Sequence, residues 1–500
     1  MRKAALLFAL GNVLWMAACG SSGGGGGGTV TSINVSCSPS TVTSGGTSQC
    51  SATVSGTGNF STAVRWSASA GTIAVEPENP SVGFFTAPMT DATLLVTITA
   101  TSGQNTNVSG TATITVNPAG MGSNVQPITV DQGPEPQTFL ATNQAFTTVT
   151  ICVPGTNTCQ NIDHVQVDTG SQGLRLLSSA SGGELGIALP QENDSSGNPL
   201  DECLVFADGY VWGMVATADI GMAGETASSI PVQVIIPPSS SPAVPTACSN
   251  RNPPGGTGNE GGSVMMLGAN GILGVGLFQQ DCGLACTPGF QTQPMYFACP
   301  SGSCTAINIP VTQQVTNPVI MFATDNNGVL IQFPAVPDGG SLTVAGSLIF
   351  GIGTESNNSL GSATVYGAND SGNFTTIFNG TTYPNSFIDS GSNGYFFPSN
   401  IPTCANPNQH WYCPSTSPDN LSAQNQGTNM SSPITVNFSL EDASTLFNSS
   451  NTAFSTLGGP LPANLDAFDW GLPFFYGRNV FTAIQGQNAP GGTPPPYFAY

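Results

Sequence analysis

Asp168-Thr169-Gly170-Ser171-Gln172-Gly173 and Asp389-Ser390-Gly391-Ser392-Asn393-Gly394 are two copies of one pattern. Each Asp follows an apolar residue, Val167 or Ile388, and each copy runs into a second apolar stretch, from Leu174 or from Tyr395. A single Asp-Ser/Thr-Gly is ordinarily a strand end, because Asp and Gly both make turns. Two copies with matching flanks, far apart in the chain, imply two similar lobes that each offer one carboxylate. Two carboxylates held together cannot both ionise cheaply, so they share a proton. Such a pair holds a base and an acid at once, able to activate a water and to protonate a leaving amide nitrogen. The expected catalytic residues are therefore Asp168 and Asp389. Gly170 and Gly391 let the two loops approach with no Cβ between them. Thr169 and Ser390 are suited to hydrogen bonds across to the opposite loop, and Ser171 and Ser392 to holding each carboxylate in plane.

On these motifs, residues 136–500 resemble a pepsin-like aspartic protease. Other segments of that family have counterparts in the same order. Ile272-Leu273-Gly274, within "NGILGVGLF", resembles the apolar-apolar-Gly segment beside the first Asp loop. "AGSLIFGIGT", 345–354, resembles the strand that opens the second lobe, which puts the lobe boundary near 310–345. "DWGLPFFYGRNVFTAI", 469–484, resembles the C-terminal segment, with Gly471 and Phe475 in recognisable places and Asp469 where an apolar residue is usual. "VFADGYVWGMVATADIG", 205–221, resembles the hairpin flap that closes over the site, so Phe206, Asp208, Gly209 and Tyr210 are flap candidates. Phe206 stands at the flap Tyr of pepsins, and Arg175, seven residues after Asp168, at the Trp that supports it. Tyr210 or Trp212 is the available substitute. The resemblance implies endopeptidase activity on a peptide or protein substrate through a water between two Asp, with no cofactor and no metal, in a monomer. The alternative is a non-catalytic cell-surface binding or adhesion lipoprotein that retains the fold.

The strands that must position these loops dominate the composition. Gly 62 and Pro 39, with abundant Ser and Thr, call for many turns, and only 7% of residues are charged. Val, Ile and Phe are numerous enough to build a core, and 500 residues exceed one ordinary core. The fold class expected is all-β: an N-terminal Ig-like β-sandwich followed by a bilobal pepsin-like β-fold. Residues 29–118 read as short alternating strands between Gly/Ser/Asn turns. They resemble bacterial immunoglobulin-like domains, including Trp66 in "VRWSAS". Residues 119–135 read as a linker before the two-lobed domain at 136–500.

Net charge is −21, which leaves no basic patch for nucleic acid. The chain holds two histidines, His164 and His410, and neither is placed to serve a nucleophile, so a serine hydrolase is disfavoured. "MRKAALLFALGNVLWMAACG" has the basic start, apolar core and small residues of an export signal, residues 1–18. Met16-Ala17-Ala18-Cys19 resembles the bacterial lipobox, which makes Cys19 the lipidation site. Ordinary cleavage after Ala18 suits the same residues. The Gly-rich stretch 19–28 reads as a tether from the membrane. These features predict an exported, lipid-anchored protein of the bacterial cell envelope, at the outer membrane or cell surface.

Twelve cysteines follow Cys19, an even number suited to an oxidising compartment. Short spacing pairs Cys37 with Cys50, Cys152 with Cys159, Cys299 with Cys304 and Cys404 with Cys413. The connectivity of Cys203, Cys248, Cys282 and Cys286 stays open at this level.

Overall fold

The computed structural model describes residues 28–500 except 44–46, 77–78, 89–92, 118–123, 136–139, 208, 238–239, 251–258 and 431. Export signal 1–18, Cys19, most of the tether and Asp208 lie outside the described residues. The chain divides into two compact units, one up to Gly120 and one from Met121.

In the first unit, alternating apolar and polar residues make strands with one face to bury. Two four-stranded sheets result. One runs Thr29–Ser38, Thr47–Thr57, Asn79–Thr86, Thr72–Glu76, and the other Thr41–Thr43, Ser109–Asn117, Leu94–Ser102, Val64–Ala68. Val42, Cys50, Phe85, Val96, Ile98, Ile114 and Val116 from both sheets share one core, so this unit is a β-sandwich. Cys37 and Cys50 face each other across neighbouring strands and are joined as a disulfide.

The second unit is also built of strands, as the all-β expectation requires. A 16-stranded sheet and a 7-stranded sheet run through it. One expectation is corrected here: the stretch 119–135 is not simply a linker. Val125–Val130 is a strand in the larger sheet, paired with Val344–Phe350 on one side and Ala145–Cys152 on the other. Pro127 and the Gly/Ser/Asn run before it disguise the strand, yet Gln126, Ile128 and Val130 alternate inwards and are buried. Pro127 lies beyond the last residue of its strand that pairs with Ala145–Cys152, and its carbonyl accepts from Thr147 Oγ1 at 2.8 Å.

The two halves of this unit repeat one local arrangement. In the first, strand Cys159–Asp168 lies parallel to Gly271–Val275, which lies antiparallel to Gln172–Leu177. In the second, Thr381–Ile388 lies parallel to Asp469–Trp470, which lies antiparallel to Tyr395–Phe397. A chain that leaves one strand and returns two places away must cross a third strand. The tight Asp-Ser/Thr-Gly turn performs that crossing in both halves. The anchoring residues Val165, Val167, Leu174, Leu273, Ile388, Tyr395, Phe397 and Trp470 belong to one continuous hydrophobic core.

All four short-spaced disulfides form as expected, and Cys203–Cys248 and Cys282–Cys286 complete the set. Cys152–Cys159 closes the hairpin that delivers the chain into Asp168.

Candidate active site

Strand pairing aims both Asp loops at each other. Asp168 pairs in register with Gly274, and the Asp389 backbone N–H donates to Trp470 O at 3.0 Å. Gly274 and Gly471 are required there. A Cβ on Gly274 would lie 2.6 Å from Gln172 backbone atoms, and one on Gly471 2.1 Å from the Gly394 carbonyl.

The loops then lock together reciprocally. Ser390 N–H donates to Thr169 Oγ1 at 2.9 Å, and Thr169 N–H donates to Ser390 Oγ at 3.1 Å. Each hydroxyl donates onward to the strand that precedes the opposite Asp: Ser390 Oγ to Val167 O at 2.8 Å, Thr169 Oγ1 to Ile388 O at 3.3 Å. All four bonds are buried, where each missing partner would cost on the order of 1–3 kcal/mol. Gln166 adds a further bridge, donating from Nε2 to Gly391 O at 2.9 Å.

The carboxylates are held with the same symmetry. Gly170 N–H donates to Asp168 Oδ1 and Gly391 N–H to Asp389 Oδ1, both at 2.7 Å. Ser171 Oγ donates to Asp168 Oδ2 at 2.5 Å and Ser392 Oγ to Asp389 Oδ2 at 2.9 Å. The loops are so close that a Cβ on Gly170 would sit 2.6 Å from Asp389 Cγ, and one on Gly391 2.6 Å from Asp168 Oδ1. Asp168 is buried and Asp389 half-buried. Burial holds the Asp389 carboxyl well above the usual carboxylate range, with the charge of Asp168 and then that of Asp469 adding to it. A hydrogen bond between the Asp168 and Asp389 side chains works in the same direction. The arrangement can therefore hold one proton between two acids.

The structure thus brings together all eight residues expected from the two motifs. Of the flap candidates, Asp208 lies outside the described residues, and Phe206 and Tyr210 belong to separate hydrophobic clusters. Phe206 N–H closes the hairpin turn onto Gly209 O at 2.8 Å, and the Phe206 ring packs beside Leu177, Val211, Ile235 and Val264. Tyr210 and Trp212 are buried with Cys203, Cys248 and Phe297. Backbone bonds hold the hairpin near its tip: Asn259–Glu260 pairs with Gly209–Tyr210, and Gly261 N–H donates to Tyr210 O at 2.7 Å.

Arg175 is a functional-site neighbour whose role sequence reading missed. Its side chain is fully buried and binds three partners: Gln172 O at 2.6 Å, Glu202 Oε1 at 2.8 Å and Asp281 Oδ2 at 2.8 Å. Tyr296 Oη donates to Asp281 Oδ1 at 2.6 Å. An ion network thereby ties the first Asp loop to the hairpin strand Leu200–Val205. Burial, reinforced by the charge of Glu202, raises Asp281 well above its ordinary value. Glu202 and Asp281 are remote from Arg175 in sequence, so no local pattern marks them. Asp469 was visible as an acid in an apolar run; its position beside the dyad was not.

Among the described residues, Asp201/Cys299/Cys304 and Cys404/Cys413/Asp442 cluster at metal-like distances, but their cysteines are spent in disulfides. A cavity of about 210 Å³ borders the Asp loops, lined by Thr169, Gly170, Leu277, Phe278, Phe387 and others. A larger one of about 670 Å³, around Leu330, Asn357, Leu360 and Arg478, touches neither loop.

The family model described as "Protein of unknown function (DUF3443)" matches residues 120–500. The chain belongs to the DUF3443 family. No curated protein matches it. Among solved structures, the aspartic proteinase from Irpex lacteus is similar at 14% identity and a TM-score of 0.41, over 75% of this chain and 96% of that one. The match to the DUF3443 family model spans both Asp loops and every residue of the site described above.

Proposed function

We propose that this protein is an aspartic endopeptidase of the bacterial cell envelope, held to the membrane by a lipid on Cys19. One observation carries the catalytic reading: the reciprocal Thr169–Ser390 lock, which holds two carboxyls within reach of a shared proton. In the mechanism this geometry supports, a water lies between Asp168 and Asp389. The ionised member of the pair takes a proton from the water as its oxygen attacks the peptide carbonyl carbon. The protonated member gives its proton to the carbonyl oxygen, producing a tetrahedral diol. Collapse of the diol returns a proton to the leaving nitrogen and breaks the C–N bond. The cavity beside Gly170, with Leu277, Phe278 and Phe387 in its wall, suits an apolar substrate side chain.

The N-terminal signal and the six disulfides support export to an oxidising compartment. A second reading, a non-catalytic surface binding protein, is favoured by one feature: Phe206 stands where pepsins carry the flap Tyr, and its ring packs into a hydrophobic cluster. Incubation with unstructured peptides across about pH 3–7 separates the two. The catalytic reading expects cleavage that a statine-type inhibitor blocks.

A further inference from the structure

Asp469 stands where the repeat has an apolar residue. Gln166 pairs with Ile272 in the first half, and Phe387 pairs with Asp469 in the second, so Asp469 occupies the place of Ile272. Its neighbours Phe468 and Trp470 stack on each other in the core. Strand alternation sends the side chain between them to the opposite face. Asp469 is only 5% exposed, and its Oδ1 has no hydrogen-bond partner. The segment that carries it is bonded to Ser392, with Leu472 N–H donating to Ser392 O at 2.7 Å. The Ser392 hydroxyl, 2.9 Å from Asp389 Oδ2, is also the hydrogen-bond donor nearest in effect to the Asp469 carboxyl. Ser392 therefore has one hydroxyl hydrogen and two carboxyls to serve. Ser171, its counterpart in the first half, has Ile272 in place of the second acid.

We propose that Asp469 is a positioning residue that controls, through Ser392, the hydrogen bond Asp389 receives. This rests on the aspartic-peptidase reading above. With Asp469 protonated, its O–H donates to Ser392 Oγ and the Ser392 hydrogen points at Asp389. With Asp469 ionised, the Ser392 hydrogen turns to Asp469, and Asp389 Oδ2 loses its donor. The groups that face Asp469 are Asp168 from the first loop and Asp389 and Ser392 from the second. The flanking Phe387 and Phe396 contribute no charge. Burial raises the Asp469 carboxyl to about 8, and the charge of Asp168 adds to the effect. The competent arrangement thus holds through acidic and neutral pH and is lost above it.

The test is the pH profile of kcat for the full chain and for Asp469→Asn and Asp469→Ile, the second restoring the residue type of the first half. Neither variant can ionise. Both are expected to keep kcat within a few-fold of wild type near pH 5 and to move the alkaline limb upward by about one pH unit or more. Adding Ser392→Ala to Asp469→Asn should produce no further shift of that limb. Superimposable alkaline limbs overturn the proposal. So does a folded Asp469→Asn protein that is inactive at every pH, since Asp469 would then act directly on substrate. A stability measurement separates this proposal from the peptidase reading. Wild type should lose stability between about pH 4 and pH 8, and Asp469→Asn should lose less. If wild type cleaves nothing, the peptidase reading fails; an identical stability slope in both proteins overturns the protonated Asp469 independently.

Discussion

Replacing Arg175 by Met is expected to make the stability of the second unit steeply pH-dependent. The Glu202 and Asp281 side chains are 0% and 2% exposed, and Arg175 is the cation both contact. Burial and the charge of Glu202 already raise Asp281 well above its ordinary value, and Arg175 is the cation that offsets this buried pair of acids. Without Arg175 a buried carboxylate left with no cation must take up a proton to stay buried. For a carboxyl with a free value near 4.3, neutralisation at pH 7 costs about 3.7 kcal/mol, and about 1.4 kcal/mol less for each pH unit below. The sign follows from the unfolded chain, which ionises above that value while the folded variant cannot; the penalty grows with pH. Spread over the roughly 380 residues of this unit, such a loss lowers Tm by about 5 °C at pH 7 and by about 1 °C at pH 5. Calorimetric scans at the two pH values, disulfides intact, supply the measurement. Arg175→Met combined with Glu202→Gln should remove most of the pH dependence. Equal Tm losses for the single variant at pH 5 and pH 7 would refute the reasoning.

Gly170→Ala should abolish peptide cleavage while leaving Tm within a few degrees, because its Cβ would lie 2.6 Å from Asp389 Cγ and push the carboxyls apart. Circular dichroism alongside the activity assay separates that outcome from misfolding. Asp201 is 1% exposed, its two oxygens have no partner, and burial raises it to about 7. Its neutral form is the stable one, so the folded protein loses stability as pH rises from about 4 to about 7. Asp201→Asn should therefore raise Tm at pH 8 and leave it unchanged at pH 4, as read in parallel thermal scans.

What could be read from the sequence was what repeats or alternates. The two Asp motifs announced themselves because the same six-residue pattern recurs with the same flanks. The strand-rich class followed from alternation, and four disulfides from short spacing. The strand Val125–Val130 hid behind Pro127 and small residues, which mark turns more often than sheet interiors. Cys203–Cys248 and Cys282–Cys286 emerged only with the fold, since four open cysteines allow several pairings. The Arg175 network joins residues that only the fold makes neighbours. The packing of the flap hairpin emerged only with the fold for a related reason. Tyr210 and Trp212 were available by type, but the Cys203–Cys248 bridge gathers both into a separate hydrophobic cluster.

The central claim is that Asp168 and Asp389 act as one acid–base pair on a peptide bond. It is tested most directly by peptide cleavage with wild type, Asp168→Asn and Asp389→Asn, each confirmed folded. The account predicts cleavage by wild type at acidic pH and a loss of at least a thousand-fold in either variant. An inert wild type, or a variant that cleaves as fast as wild type, would contradict it.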